Sequence, residues 1–317
     1  SIKKLPSEIK KYANKGDRCL LISENRPEWF ITDLSVMLSE AITVPAYTTY
    51  AEKDYEYIIE NCNPKLIFVS NQEQFNKVKD IIKKKSFITK IFSFEKLDIS
   101  EHDYLNINKL FSNLDYQDLN VPDLSIKRND PACIIYTSGT QGNPKGVILS
   151  HGGILNNCDG ALDILKPLLT DQTRFLTWLP LSHSYEHTVQ FVQISVGAKI
   201  FYAESIEKLI KNMNDCKPQL MTAVPRFYQN LFQKINASFN KVTGLKKKLI
   251  LKMLELGTKK INKQSLTILE KLIDNILEKI VRKKIKSQFG GELKTFVSGG
   301  GALDKEVGIF LNAIGLP

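Results

Sequence analysis

The sequence predicts an α/β fold built on a parallel, doubly wound sheet, and three observations lead there. Short apolar runs with strand character alternate with segments of helical period from residue 7 to residue 125. The same alternation resumes after residue 150, with apolar runs at 174–178, 198–202, 219–223 and 293–297. Pro27 and Pro225 each stand shortly after a strand candidate, where they suit the first turn of the helix that follows.

Cys19-Leu20-Leu21-Ile22-Ser23 reads as a buried strand, followed by a turn at Asn25-Arg26-Pro27. Pro27 suits the first turn of a helix, and Trp29, Phe30, Leu34 and Met37 supply its apolar positions. Val44-Pro45-Ala46 and Lys65–Ser70 are further strands, with a helix carrying Tyr55, Ile58 and Ile59 between them. Residues 99–131 are polar and turn-rich, which predicts a surface connector. Beyond residue 150 the spacing predicts helices over about 151–165 and 187–196, and another starting at Pro225 with Phe227, Tyr228, Leu231 and Phe232.

The formal charge of +10 is confined to one segment: residues 241–289 hold fourteen basic and four acidic residues, and the rest of the chain balances. Leu266, Leu269, Leu272, Ile273, Ile276, Leu277, Ile280 and Ile285 recur there with a helical period. Two readings are open: a solvated two-helix hairpin packed on the domain, or a basic amphipathic surface resting on anionic lipid, carried by the basic residues at 282–286. Nothing in the pattern points to a nucleic-acid partner. No stretch approaches the ~20 apolar residues of a membrane-crossing helix. The five scattered cysteines lack metal-ligand spacing and predict reduced thiols in a cytosolic protein. The chain opens on Ser1 and stops at Pro317, and both ends read as cut.

The chemistry is concentrated in Tyr136-Thr-Ser-Gly-Thr-Gln-Gly-Asn-Pro-Lys-Gly146, which follows the apolar run Ala132–Ile135. Glycines let a backbone come close to an anion, hydroxyls donate to phosphoryl oxygens, and a lysine adds positive charge, so the loop suits a polyphosphate. It does not match the nucleotide triphosphatase P-loop: Lys145 is followed by Gly146 rather than Ser or Thr, and Pro144 forbids the tight helical entry.

The ordered pattern resembles the phosphate-binding loop of the adenylate-forming superfamily. Trp178-Leu-Pro-Leu-Ser-His-Ser-Tyr-Glu-His187 and Val297-Ser-Gly-Gly-Gly-Ala-Leu303 resemble two further blocks of that superfamily in the right order. The element Asn25-Arg26-Pro27-Glu28-Trp29 extends the likeness toward the start. The resemblance implies an N-terminal adenylation domain of the acyl-CoA synthetase type over residues 1–317, with layered sheets and flanking helices and 241–289 as a basic helical insertion. The small C-terminal domain and the later motifs are expected to lie outside the chain, leaving this portion inactive alone. The implied reaction joins a fatty acid to ATP, releases pyrophosphate and passes the acyl group to coenzyme A, with the long-chain branch favoured. A carrier-protein thiol as acceptor, or a non-catalytic nucleotide- or membrane-binding piece, are the alternatives. The implied location is cytoplasmic, with peripheral contact at the inner face of a membrane under the lipid reading.

The resemblance assigns Thr137, Ser138, Gly139, Thr140, Gly142 and Lys145 to ATP, with Lys145 neutralising the leaving pyrophosphate and Thr140 touching Mg2+. Lys145, Thr140 and His183 are the candidate catalytic residues. Gly300, Gly301 and Ala302 would face adenine, although Gly301-Ala302 replaces the usual Ala-Pro pair and softens that wall. His183, Trp178 and Gly299 would border the acyl group. An imidazole beside a carboxylate is physically sensible. His187 reads as a helix-surface residue, His151 has no assigned role, and His102 lies in a polar loop.

Overall fold

The computed structural model describes residues 4–99, 104–111, 125–137 and 143–317, which divide into two compact units. The first comprises the chain to Ala161 together with Pro180–Thr188, and the second comprises Leu162–Leu179 and Val189–Pro317.

The first unit holds a seven-stranded sheet of order β5-β4-β3-β1-β2-β6-β7. Its strands are β1 (Arg18–Ile22), β2 (Ile42–Ala46), β3 (Leu66–Val69), β4 (Lys90–Ser93), β5 (Tyr104–Asn106), β6 (Pro131–Thr137) and β7 (Lys145–Ser150). Every pairing is parallel except β6 with β7. β2 and β3 are buried throughout, which their unbroken apolar character anticipates. Pro45 can sit inside β2 because that strand pairs with β6 at a single register, Thr43 opposite Cys133. Helices α1 (Lys4–Ile9), α2 (Pro27–Leu38), α3 (Glu52–Cys62), α4 (Gln72–Asn76), α5 (Lys79–Ile82) and α6 (Ile107–Phe111) fill the connections. The expected surface connector over 99–131 therefore contains an edge strand and a helix whose Ile107 is fully buried. A polar run can hold a strand when one apolar residue anchors it.

α7 (His151–Leu165) begins in the first unit, and α8 (Ser184–Ser195) begins there and continues into the second. The second unit has a wholly parallel sheet of order β11-β10-β8-β9, made of β8 (Arg174–Thr177), β9 (Lys199–Tyr202), β10 (Leu220–Ala223) and β11 (Thr295–Ser298). α9 (Leu209–Cys216), α10 (Pro225–Asn240), α11 (Gly244–Ile261), α12 (Ile268–Leu277), α13 (Lys283–Ser287) and α14 (Lys305–Ala313) complete it.

The basic segment folds as the anticipated helical hairpin. α12 starts with a capping box in which Thr267 and Glu270 exchange side-chain and backbone hydrogen bonds. One π-helical turn, Glu278–Arg282, joins it to α13. The apolar residues of the segment divide between two faces. Leu277 is buried and Leu266, Ile273 and Ile285 pack on the core, whereas Ile268, Leu269, Leu272, Ile276 and Ile280 are 54 to 80% exposed. Arg282, one of the basic residues expected at the surface, is buried. It donates to Asp274 (2.7 Å) and to the carbonyls of Ala313 (2.7 Å) and Met253 (3.1 Å).

Candidate active site

β6 and β7 form an antiparallel hairpin in which Thr137 and Lys145 are register partners, so they stand opposite each other at the base of the loop. Both are exposed. Ser138, Gly139, Thr140 and Gly142 lie outside the described residues. Below the loop, Tyr136 is buried against Tyr57 and donates its hydroxyl to Asn61, and burial raises its phenol well above the ordinary value. Gly146 follows from this packing: a Cβ there would sit 2.9 Å from Ile134 Cγ2 and 3.2 Å from the Tyr136 ring. The hairpin continues into α7, whose Gly153 N–H is capped by Ser150 Oγ at 3.1 Å. His151, at the start of α7, has its pKa lowered by burial against the opposing pull of Asp130 and Asp33.

In the same unit, His183 immediately precedes α8 and is exposed. Its Nδ1 accepts the Tyr185 N–H at 3.1 Å, and its carbonyl accepts the His187 N–H at 3.0 Å. With Nδ1 engaged as acceptor, the neutral ring carries its proton on Nε2, which is left to meet a ligand.

His187 corrects the sequence reading. It is 1% exposed rather than on a helix surface, and its Nε2 lies 2.7 Å from Asp33 Oδ2, itself 0% exposed. The Trp29 ring stands edge-on to it with centroids 5.5 Å apart. The first turn of α8 is covered on more than one face, and a helical period alone cannot reveal that.

In the second unit, three predicted residue groups meet at the C-terminal ends of parallel strands, the usual place for ligands in such sheets. Trp178 directly follows β8, is half-buried, and donates its indole N–H to Thr222 O at 2.8 Å. Its ring centroid is 5.0 Å from that of Phe227 in the first turn of α10. Gly299, just past β11, donates to Ala223 O at 3.1 Å. Gly300 has φ +75°, and Cβ atoms built on Gly300 and Gly301 would lie 3.7 Å from Val224 and 3.6 Å from Pro225. Ala302 is exposed beside them, and the buried Ser298 Oγ at the strand end finds no hydrogen-bond partner among the described residues. Phe227 and the Val224-Pro225 step were missed as site residues. The Pro225-Arg-Phe-Tyr run directly after a strand was the signal that could have found them.

The model of the AMP-binding enzyme family matches residues 10–316. The chain belongs to the AMP-binding enzyme family. Fatty acyl-CoA synthetase A of Dictyostelium discoideum is 29% identical over 308 residues, covering 95% of this chain and 44% of that protein. Long chain acyl-CoA synthetase 3 of Arabidopsis thaliana is 28% identical over 315 residues, covering 95% and 46%. The chain thus spans about half the length of the curated relatives it matches. Among solved structures, ATP-bound MatB from Rhodopseudomonas palustris aligns with TM-score 0.67 at 16% identity, covering 98% of this chain and 50% of that one. The N-terminal domain of FACL13 from Mycobacterium tuberculosis aligns with TM-score 0.64 at 16% identity, covering 98% and 63%. At such identity these two likenesses speak to fold alone.

In this member of the AMP-binding enzyme family the glycine- and hydroxyl-rich run lies between the paired strands β6 and β7 of the first unit. The glycine triplet follows β11, an edge strand of the second unit's parallel sheet. Among the described residues no group of three or more His, Cys, Asp or Glu side chains could hold a metal ion, and Thr140 lies outside the described residues. No described helix is long and apolar enough to cross a membrane.

Proposed function

We propose that this chain supplies the nucleotide- and acyl-binding half of an ATP-dependent long-chain fatty acid–CoA ligase. A carboxylate is already a nucleophile, so acyl-AMP formation needs no base. The barrier lies in bringing two anions together and stabilising charge on phosphoryl oxygens. The observation that carries the reading is the pairing of Thr137 with Lys145 at the mouth of a glycine- and hydroxyl-rich hairpin loop. Thr137 and Lys145, with Ser138, Gly139, Thr140 and Gly142, hold the β- and γ-phosphates, and Lys145 neutralises the departing pyrophosphate. Gly300, Gly301 and Ala302 face adenine, while Gly299, Trp178 and the Nε2 side of His183 border the acid. Mg2+ would supply charge neutralisation at the phosphates, with Thr140 the one residue here assigned to it. Coenzyme A is the acceptor, and the names of the curated relatives favour it over a carrier-protein thiol. Trapping the thioester with each thiol separates the two.

In the intact protein, Lys145→Ala is expected to lower ATP–pyrophosphate exchange by about 10²- to 10³-fold, the loss typical of one charge-stabilising donor, with an unchanged unfolding midpoint. Undiminished exchange overturns the assignment.

A second reading, contact with an anionic bilayer, is favoured by the exposed ridge Ile268–Leu269–Leu272–Ile276–Ile280, which runs beside the exposed Lys271, Lys279, Lys283 and Lys284. Flotation with phosphatidylserine-containing vesicles should retain the protein, and Leu272→Glu with Ile276→Glu should release it. Equal flotation of both proteins rejects the contact.

A further inference from the structure

The element Asn25-Arg26-Pro27-Glu28-Trp29 has no part in the phosphate or adenine assignments, and neither do Asp33 and His187. Within the first unit the structure brings the short stretch Asn25–Asp33 against His187, 154 residues beyond Asp33. Asn25 Oδ1 accepts the Leu181 N–H at 3.0 Å, just before the His183 turn. Eight residues further on, Asp33 reaches His187 Nε2 at 2.7 Å from the buried face of α2, just after that turn. Trp29, fully buried between them in sequence, sets its ring edge against the His187 imidazole at 5.5 Å. The far side of that imidazole is closed by Cys133, whose sulfur is 3.9 Å from Nδ1. His187 N–H in turn donates to the His183 carbonyl.

We propose that Asn25, Trp29, Asp33 and His187 form a clamp that positions His183, gripping the turn at residue 181 and at residue 187 so that His183 Nδ1 stays on the Tyr185 N–H and Nε2 is held outward. These are positioning residues: none is argued to touch substrate. A buried hydrogen bond between an acidic side chain and an imidazole is directional and strong in a low-dielectric setting, so it fixes a helix start more tightly than apolar packing does. The proposal rests on the acyl-activation reading only for its kinetic consequence.

Selective 15N-histidine labelling of the intact protein, with the His183 signals assigned by their loss in His183→Asn, reads the imidazole directly. In the wild type, His183 is expected to hold the Nε2–H form. In Asp33→Ala and His187→Leu, its two nitrogen shifts should move toward the average of a mixed tautomer. His187→Gln, which keeps an N–H donor near Asp33, should restore most of the wild-type pattern. With palmitate as the acid, the KM for palmitate should rise and kcat/KM fall by about 10- to 100-fold, the range for a small displacement of a contacting group, while the KM for ATP holds. The double variant should lose no more than the worse single one. An unchanged His183 spectrum in folded Asp33→Ala overturns the clamp, as does an equal rise in both KM values. Should Asp33→Ala fail to fold, the partly exposed Asn25→Ala carries the same spectral test. If the wild type makes no acyl-AMP, the ligase reading fails, and the imidazole spectra alone decide the clamp.

Discussion

The two units build their cores from different material. In the first, strand residues dominate: Leu20, Ile22, Val44, Ala46, Ile67, Val69 and Ile91 form the cluster, with Tyr55, Ile58 and Ile59 of α3 laid over it. In the second, β9 and β11 are no more than half-buried, and helices supply most of the core: Tyr228 and Leu231 from α10, Ile250, Met253 and Leu256 from α11, Leu277 from α12, and Val307 and Leu311 from α14. The strand-built core is apolar and continuous. The helix-built core encloses a charged group, Arg282, held by the Asp274 carboxylate at 2.7 Å, more loosely by Glu278 at 3.5 Å, and by two main-chain carbonyls. A sheet satisfies its backbone through its ladders and can bury apolar runs on both faces. Where helices converge, a guanidinium can reach several main-chain carbonyls at once, here the terminal carbonyl of α14 at Ala313 and that of Met253 within α11.

That difference predicts where each unit is fragile. Asp274→Ala leaves Arg282 buried without its closest carboxylate and should cost about 4 kcal/mol in urea unfolding, the scale for breaking one side of a buried pair. A loss under about 1 kcal/mol would mean that Glu278 and the two carbonyls suffice for the guanidinium. The same pair has a pH signature. Burial pushes the Asp274 carboxyl up, but hydrogen bonds from Lys260 and Arg282 outweigh it and leave the pKa below the ordinary value. A depressed folded-state pKa stabilises above the unfolded value and is lost as pH falls through the folded one. Wild-type stability should therefore drop below about pH 4, and Asp274→Ala should flatten that limb.

Leu20→Ala tests the strand-built core. The side chain is fully buried, and the change should cost about 3 kcal/mol by chemical denaturation with no pH dependence between 3 and 7. A smaller effect comes from Gly257→Ala in α11, where a Cβ would fall 2.6 Å from Ala313 Cα in α14. Overpacking of two helix backbones should lower stability by about 2 kcal/mol, read from the thermal midpoint. The smallest is Leu272→Glu on the exposed ridge, expected to lie within about 0.5 kcal/mol of wild type. A larger loss would mean that the ridge belongs to the core.

Much of the first unit was legible in advance because its strands are apolar without interruption and punctuated by Pro27 and by the glycine-rich loop. The strands at 19–23 and 65–70 agree with β1 and β3 to within two residues. β4 went unremarked, since Lys90-Ile-Phe-Ser93 is a four-residue run with little to distinguish it from a helix edge. β6 and β7 pair antiparallel within an otherwise parallel sheet, because a short hairpin loop can return the chain only antiparallel. At the candidate site, the order and chemistry of the loop, the His183 block and the glycine triplet could all be read from residue types. The contributions of Asn25 and Asp33 could not, since each depends on a neighbour far away in sequence.

The sequence by itself determined the alternation of strands and helices, the segment that carries the net charge, and the loop chemistry that suits a polyphosphate, because each depends on residues near one another along the chain. Only the tertiary structure decided that His187 is buried on Asp33, that Arg282 is core rather than surface, and which apolar stripe of α12 faces inward. Periodicity tells which residues share a face of a helix. Which face is covered depends on what other elements pack against it, and that is fixed only when the chain has folded.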